Sequence, residues 1–150
     1  MKAAFNILPD KKENERFHLL IEAGDYGISF SWYTKDPLDI KGLSVFNFTG
    51  VPTAAEKANE LENILGSNEI FNEINESVHI CYDFKESILV PAAFYKPGTE
   101  TDLLQLIHDI DNNCNIKCES IADRFNTYAV EKKIEHFFEK GGSLYNVLKR

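Results

Sequence analysis

Three runs of alternating apolar and polar residues near the start of the chain predict an antiparallel sheet. The first strand is predicted over residues 17–23 and the third over residues 43–48. In the strand between them, Ile28, Phe30 and Trp32 alternate with polar residues, as in a strand with one buried face. Because the connections are short, we expect these strands to pair consecutively as a meander.

The apolar residues then change to the period of a helix. Thr53 and Glu56 have the spacing of a capping box, in which each side chain bonds to the backbone N–H of the other residue. Gly66 stands where a helix terminator belongs. The same period predicts a second helix over residues 99–113 and a third that begins near Val130 and ends at Gly141-Gly142.

Short apolar runs predict further strands at residues 78–84 and 87–91. Residues 116–121 and 126–130 are each candidates for another strand, and the sequence does not decide between them. The order of elements predicts an α/β fold, with helices packed on a mixed sheet of about five strands. We expect residues 1–16 to form an extended or frayed arm and residues 17–150 to form a single subdomain.

Composition narrows the class of protein. The chain has 150 residues and a formal net charge of -8, which argues against a surface built for nucleic acid. It contains no apolar run long enough to span a membrane and no apolar core of a signal peptide near its start, so we expect a cytoplasmic protein. Cys114 and Cys118 lack a second pair of ligands at suitable spacing, so we expect no metal site.

Three phrases of the chain are similar to a known family. They are LLIEAGDYGISFSWY in the first hairpin, SVHICYDFKESILVPAAFY in the middle, and NTYAVEKKIEHFFEK near residue 140. They resemble a bacterial family of unknown function whose members are assigned an actin-like ATPase (ribonuclease-H-like) fold. The resemblance implies that this chain corresponds to the first of two subdomains, which in actin-like ATPases hold nucleotide between them.

The first hairpin is the candidate nucleotide site under this resemblance. An actin-like phosphate hairpin has a carboxylate, a glycine two residues later and then small neutral residues. Here Glu22 and Gly24 match that pattern, but Asp25 stands where a small neutral residue belongs and would repel a phosphate. We therefore expect a degenerate phosphate hairpin, with Gly24 and Gly27 explained by the positive φ angles of a tight turn.

Carboxylates also permit a second hypothesis, a two-metal hydrolase of the ribonuclease-H type. Glu22, Asp83 and a glutamate of the first helix would supply the metal ligands; the candidate glutamates are Glu56, Glu60 and Glu62. Local structure accounts for these residues more simply, since Glu56 belongs to the capping box and Asp83 begins a turn. No serine or cysteine lies in a recognisable nucleophile motif.

These observations favour an interaction or scaffolding module over an enzyme. Its partner would be another protein or a second copy of the chain, and no cofactor is expected. The candidate contact residues are the aromatic side chains and the C-terminal apolar stripe: Tyr26, Tyr33, Tyr95, Leu144, Val147 and Leu148. The alternative is a nucleotide-binding ATPase or kinase-like enzyme that lacks its second subdomain and uses ATP and magnesium.

Overall fold

The computed structural model of the chain describes residues 2–10, 12, 15–50, 52–73 and 75–140. These fall into two compact units, one of the described residues up to 83 with 136–140 and the other of residues 84–135. We had expected one subdomain over residues 17–150. The chain divides because residues 84–135 build a sheet of their own instead of adding strands to the first sheet.

The first unit is built on a five-stranded mixed sheet with the strand order β1-β4-β3-β2-β5. The pairing is antiparallel except between β2 and β5, which are parallel. The predicted meander is confirmed as β2, β3 and β4. The strands are β1 (Lys2–Ile7), β2 (His18–Gly24), β3 (Gly27–Lys35), β4 (Leu38–Asn47) and β5 (Ser77–Asp83).

Strand β1 was not among the predicted elements. Its residues were expected to belong to an extended or frayed N-terminal arm, but they pair with β4, where Phe5 lies opposite Val45 and Ile7 opposite Leu43. The strand forms one edge of the sheet. Its side chains gain a partner that lies about forty residues away in the sequence, which local alternation cannot show.

The core of the first unit lies on one face of the sheet, where the predicted stripe of Ile28, Phe30 and Trp32 is buried. Helix α1 (Ala54–Ser67) begins with the predicted capping box. A 3-10 helix (Glu69–Asn72) follows and places the Phe71 ring 5.0 Å from Phe30 and 5.4 Å from Trp32. Gly66 is not a terminator, because α1 continues through it.

The second unit has a three-stranded antiparallel sheet with the order β6-β8-β7. Both strands that the sequence left open are present, so Val130 belongs to β8 and the third helix starts later than predicted. The second helix is shorter than predicted and ends before Leu106 and Ile107, which are exposed. The elements are β6 (Ser87–Pro91), α2 (Glu100–Gln105), β7 (Cys114–Ile121) and β8 (Arg124–Glu131).

Helix α3 (Lys132–Lys140) begins in the second unit, and its residues from His136 onward belong to the first. Its Phe138 ring lies 6.2 Å from Tyr82 of β5. The predicted end of this helix at Gly141-Gly142 lies outside the described residues. Within the described part of the chain, the helices are too short or too polar to cross a membrane.

Candidate functional site

The connection between β2 and β3 is the hairpin tip, residues Gly24, Asp25, Tyr26 and Gly27. None of the four has a positive φ, so the turn chemistry that we expected for the two glycines is wrong. Both positions are occupied by glycine because the backbone of a neighbouring strand approaches them closely. A Cβ on Gly24 would lie 2.5 Å from the carbonyl oxygen of Asp83, and one on Gly27 would collide with that of Phe46. Both glycines are therefore required by packing within the sheet.

Asp25 is not simply the polar tip of the hairpin. Lys57 of α1 places its Nζ 3.3 Å from Asp25 Oδ1, with 4% of the lysine side chain and 19% of the aspartate side chain exposed. Lys57 thus supplies the basic side chain that the hairpin sequence itself lacks. The sequence did not predict this pair, because the two residues are 32 positions apart and no local pattern connects them. The ion pair anchors the hairpin tip to α1.

Beside the hairpin tip lies a cleft of about 400 Å³, which we call the acidic pocket. Two carboxylates line it, Glu22 of β2 and Asp83 of β5, and none of its lining residues is Lys, Arg or His. Ser29 Oγ donates a hydrogen bond to Glu22 Oε2 at 3.4 Å. The remaining lining residues are glycine, hydroxyl, amide, aromatic and aliphatic: Gly24, Tyr26, Gly27, Ile28, Ser31, Leu43, Val45 and Asn47.

The acidic pocket belongs to a larger surface, the sheet face opposite the core, which we call the open face. Strand register defines it by rows that cross the sheet. One row holds Phe5, Val45, Ser29, Glu22 and Cys81, and the next holds Ile7, Leu43, Ser31, Leu20 and His79. The half formed by β1 and β4 is thus apolar, and the half formed by β2, β3 and β5 is mainly polar, with Leu20 as an exposed apolar side chain.

The open face is accessible to solvent along most of its length. The large apolar side chains of Phe5 and Ile7 on β1 and of Leu38 and Ile40 on β4 are exposed, with Ile40 70% exposed. At the hairpin tip Tyr26 is 78% exposed. The backbone of Tyr26 is held in place, since its carbonyl oxygen accepts a hydrogen bond of 2.8 Å from the N–H of Phe48. A fixed backbone therefore presents an exposed ring.

A family of known sequences matches most of the chain. Residues 9–144 match the family described as "Protein of unknown function (DUF3822)". The chain belongs to this family. No curated protein matches the sequence significantly.

A solved structure shows the fold of this family member. The chain is similar to a protein from Bacteroides thetaiotaomicron whose crystal structure is described as having an actin-like ATPase fold and unknown function. The TM-score is 0.75 at 15% sequence identity, and the match covers 89% of this chain and 51% of that one. The actin-like fold that the sequence phrases implied is confirmed. The chain spans about half the length of that relative.

The predicted contact residues of the family member lie in different parts of the fold. Tyr33 is on the open face and stacks on His18 with 5.2 Å between ring centroids. Tyr95 is in the second unit, stacks on Phe125 at 3.9 Å, and donates a hydrogen bond to Glu100. Hydrogen bonds to Glu100 and Cys118 raise the pKa of Tyr95. Leu144, Val147 and Leu148 lie outside the described residues. Their roles as contact residues stay predictions.

Among the carboxylates of the two-metal hypothesis, Glu56 has the capping role that the sequence suggested. Glu56 Oε2 accepts a hydrogen bond of 2.7 Å from the backbone N–H of Thr53, and this contact lowers the pKa of Glu56. Glu22 and Asp83 line the acidic pocket. Among the residues that the structure describes, no group of three or more His, Cys, Asp and Glu side chains is arranged to hold a metal ion.

A polar cluster on the open face was not anticipated. Ser77 Oγ lies 2.7 Å from Nδ1 of His18 and 3.2 Å from Nε2 of His79. The parallel register of β2 and β5 brings these side chains together, since His18 lies opposite Ser77. Burial and the nearby Lys35 keep the pKa of His18 below its usual value. The cluster ties β5 to β2 at the end of the sheet away from the hairpin tip.

Proposed function

We propose that this chain is a protein-interaction unit that binds a partner through the open face and does not transfer phosphate. The observation that carries the proposal is the exposed apolar half of that face, formed by β1 and β4. Soluble proteins rarely expose contiguous apolar surface without an interaction to use it. Phe5, Ile7 and Ile40 supply such surface on two paired strands, where a partner can bury them without unfolding anything.

The electrostatics of the hairpin support the second part of the proposal. Glu22 and Asp83 line the acidic pocket, and Asp25 is bound to the buried Lys57. Two like unit charges 4 Å apart repel by about 1 kcal/mol in water and about 4 kcal/mol near a protein surface. A nucleotide phosphate beside this hairpin would meet carboxylates with no basic side chain lining the pocket, so these residues oppose a phosphate group that no metal ion accompanies.

The interaction is tested by capture with matched variants. The immobilised chain is exposed to an extract of the organism that encodes it, in parallel with the variants Phe5→Thr and Ile40→Thr. Leu89→Thr serves as the control, because Leu89 is an exposed apolar residue of the second unit. We expect a protein that is retained by the wild type and the control but not by the open-face variants. That protein is then purified and titrated against the chain. Equal affinity for the wild type and for both open-face variants would overturn the proposal.

The alternative function is a nucleotide-binding ATPase or kinase-like enzyme. It is favoured by one observation, that the similar solved structure is about twice as long and this chain covers 51% of it. In that case ATP and magnesium would bind between the subdomain that this chain forms and a second subdomain that the chain lacks. Calorimetric titration with ATP and Mg²⁺ separates the two functions. We expect no binding at millimolar nucleotide, and micromolar binding that a folded Glu22→Gln variant alters would establish the alternative.

A further inference from the structure

The acidic pocket owes its shape to the two glycines of the hairpin tip. Strand register places Asn47, Gly27, Gly24 and Asp83 at the same end of the sheet, with Gly27 opposite Asn47 and Gly24 opposite Asp83. The two inner positions carry no side chain, so bare backbone forms a depression between two polar residues. Since neighbouring carbonyl groups exclude a Cβ at both glycines, the depression is a fixed property of the sheet and does not depend on rotamers.

The groups around this depression are those that bind a cation. Glu22 and Asp83 supply carboxylates from neighbouring strands, and Ser29 and Ser31 supply hydroxyl oxygens. Tyr26 adds an exposed ring, and an aromatic face attracts a guanidinium or ammonium group. We infer that the acidic pocket is a binding site for an arginine or lysine side chain. This inference rests on the proposed function, because the cationic side chain would be presented by the protein partner.

The neighbouring surface defines the rest of that partner. Leu43 and Val45 line the pocket and continue into the apolar half of the open face, where they lie opposite Ile7 and Phe5. A partner segment that fits both parts carries apolar side chains next to its arginine or lysine. A second copy of this chain is a poor match, because two molecules of net charge -8 repel. The occupant is therefore a basic segment of a different protein.

Small probes test the pocket directly. We would titrate N-acetyl-arginine methylamide into the ¹⁵N-labelled chain and follow the amide signals by NMR, with N-acetyl-lysine methylamide as the second cation. N-acetyl-norleucine methylamide is the neutral control and N-acetyl-glutamate methylamide the anionic control. We expect the cations alone to shift the signals of Gly24, Gly27 and Asp83. Glu22→Gln, Asp83→Asn and Tyr26→Leu should each weaken the binding roughly fivefold, whereas Glu62→Gln, on an exposed position of α1, should not.

Each outcome bears on the inference. Equal shifts with the neutral and cationic probes, or shifts that map elsewhere, would overturn it, and so would binding of Mg²⁺ or Ca²⁺ at these signals without binding of the organic cations. Dimerisation measured by light scattering would favour a second copy as occupant and would also overturn it. If a variant fails to fold, the comparison of cationic, neutral and anionic probes on the wild type still tests the pocket assignment. Failure of the cations together with partner capture that depends on Phe5 and Ile40 would remove the pocket assignment and leave the proposed function intact.

Discussion

The ion pair between Asp25 and Lys57 provides a sharp test of how the hairpin is held. Asp25→Ala removes the carboxylate and leaves the Lys57 ammonium, whose side chain is 4% exposed, beside an empty position. Lys57→Met removes the charge but keeps an unbranched apolar side chain of similar length. The double variant removes both charges and fills the site with apolar atoms. These three proteins separate the cost of a lone buried charge from the contribution of the pair.

The structure sets the expected magnitudes. Loss of one partner of a buried pair costs about 3–5 kcal/mol, and the remaining exposure of Asp25 favours the lower value, about 3 kcal/mol for Asp25→Ala. Both Asp25 and Lys57 have further interactions, which also favours the lower value. For a chain of this size about 3 kcal/mol lowers the melting temperature by roughly 6–12 °C. The double variant should lie within about 1 kcal/mol of the wild type, because replacing a buried pair by apolar side chains is often neutral.

Urea denaturation measures these differences, and the fluorescence of Trp32 reports the first unit alone. Trp32 is the single tryptophan of the sequence and is buried in the core of that unit. Two results would refute the reasoning: a cost below about 1 kcal/mol for Asp25→Ala, or a double variant as unstable as that single variant. The first result would mean that Asp25 is not the group that compensates the buried ammonium group of Lys57. The second would mean that the instability does not come from the lone charge.

Three further predictions concern other parts of the fold. Trp32→Phe should cost less than about 1.5 kcal/mol in chemical denaturation, against about 3–5 kcal/mol for Trp32→Ala, because the Trp32 Nε1 group has no hydrogen-bond partner among the described residues. Gly24→Ala should lower the melting temperature and Gly66→Ala should not, since a Cβ on Gly66 meets no atom within 4 Å. Burial opposes the ionisation of Glu135, but hydrogen bonds from Lys117 and Asn115 outweigh it and keep its pKa below the ordinary value of a glutamate. Acid titration should therefore destabilise the second unit as the pH falls below that ordinary value and through the lowered pKa, and less so in Glu135→Gln.

Local patterns predicted the parts of the fold that local interactions determine. The alternation at Ile28, Phe30 and Trp32 gave the correct buried face, because a shift of one residue would expose all three. The capping box at Thr53 and Glu56 depends on residues three positions apart and was also correct. These features need no knowledge of distant contacts.

The errors occur where a distant partner decides the outcome. The apolar period continued through Leu106 and Ile107, but a helical stripe is stable only if something packs against it. In the structure both side chains are exposed and the helix ends at Gln105. The acidic pocket was anticipated only in part. The two-metal hypothesis brought Glu22 and Asp83 together, as the pocket does, but the glycines between them were explained as turn residues, and no local pattern shows that neighbouring strands crowd them.

The glycines of the hairpin tip explain why a phosphate site and a cation site can look alike in sequence. Both need a place where backbone is bare, and Gly24 and Gly27 provide it because neighbouring carbonyl oxygens leave no room for a Cβ. What differs is the charge around that bare backbone. In this chain Lys57 is buried against Asp25 at the tip, while Glu22 and Asp83 line the pocket itself. The same depression that could admit an anion among basic groups therefore favours a cation here, and this reversal of sign is the reason why we propose a basic partner for a chain with an actin-like fold.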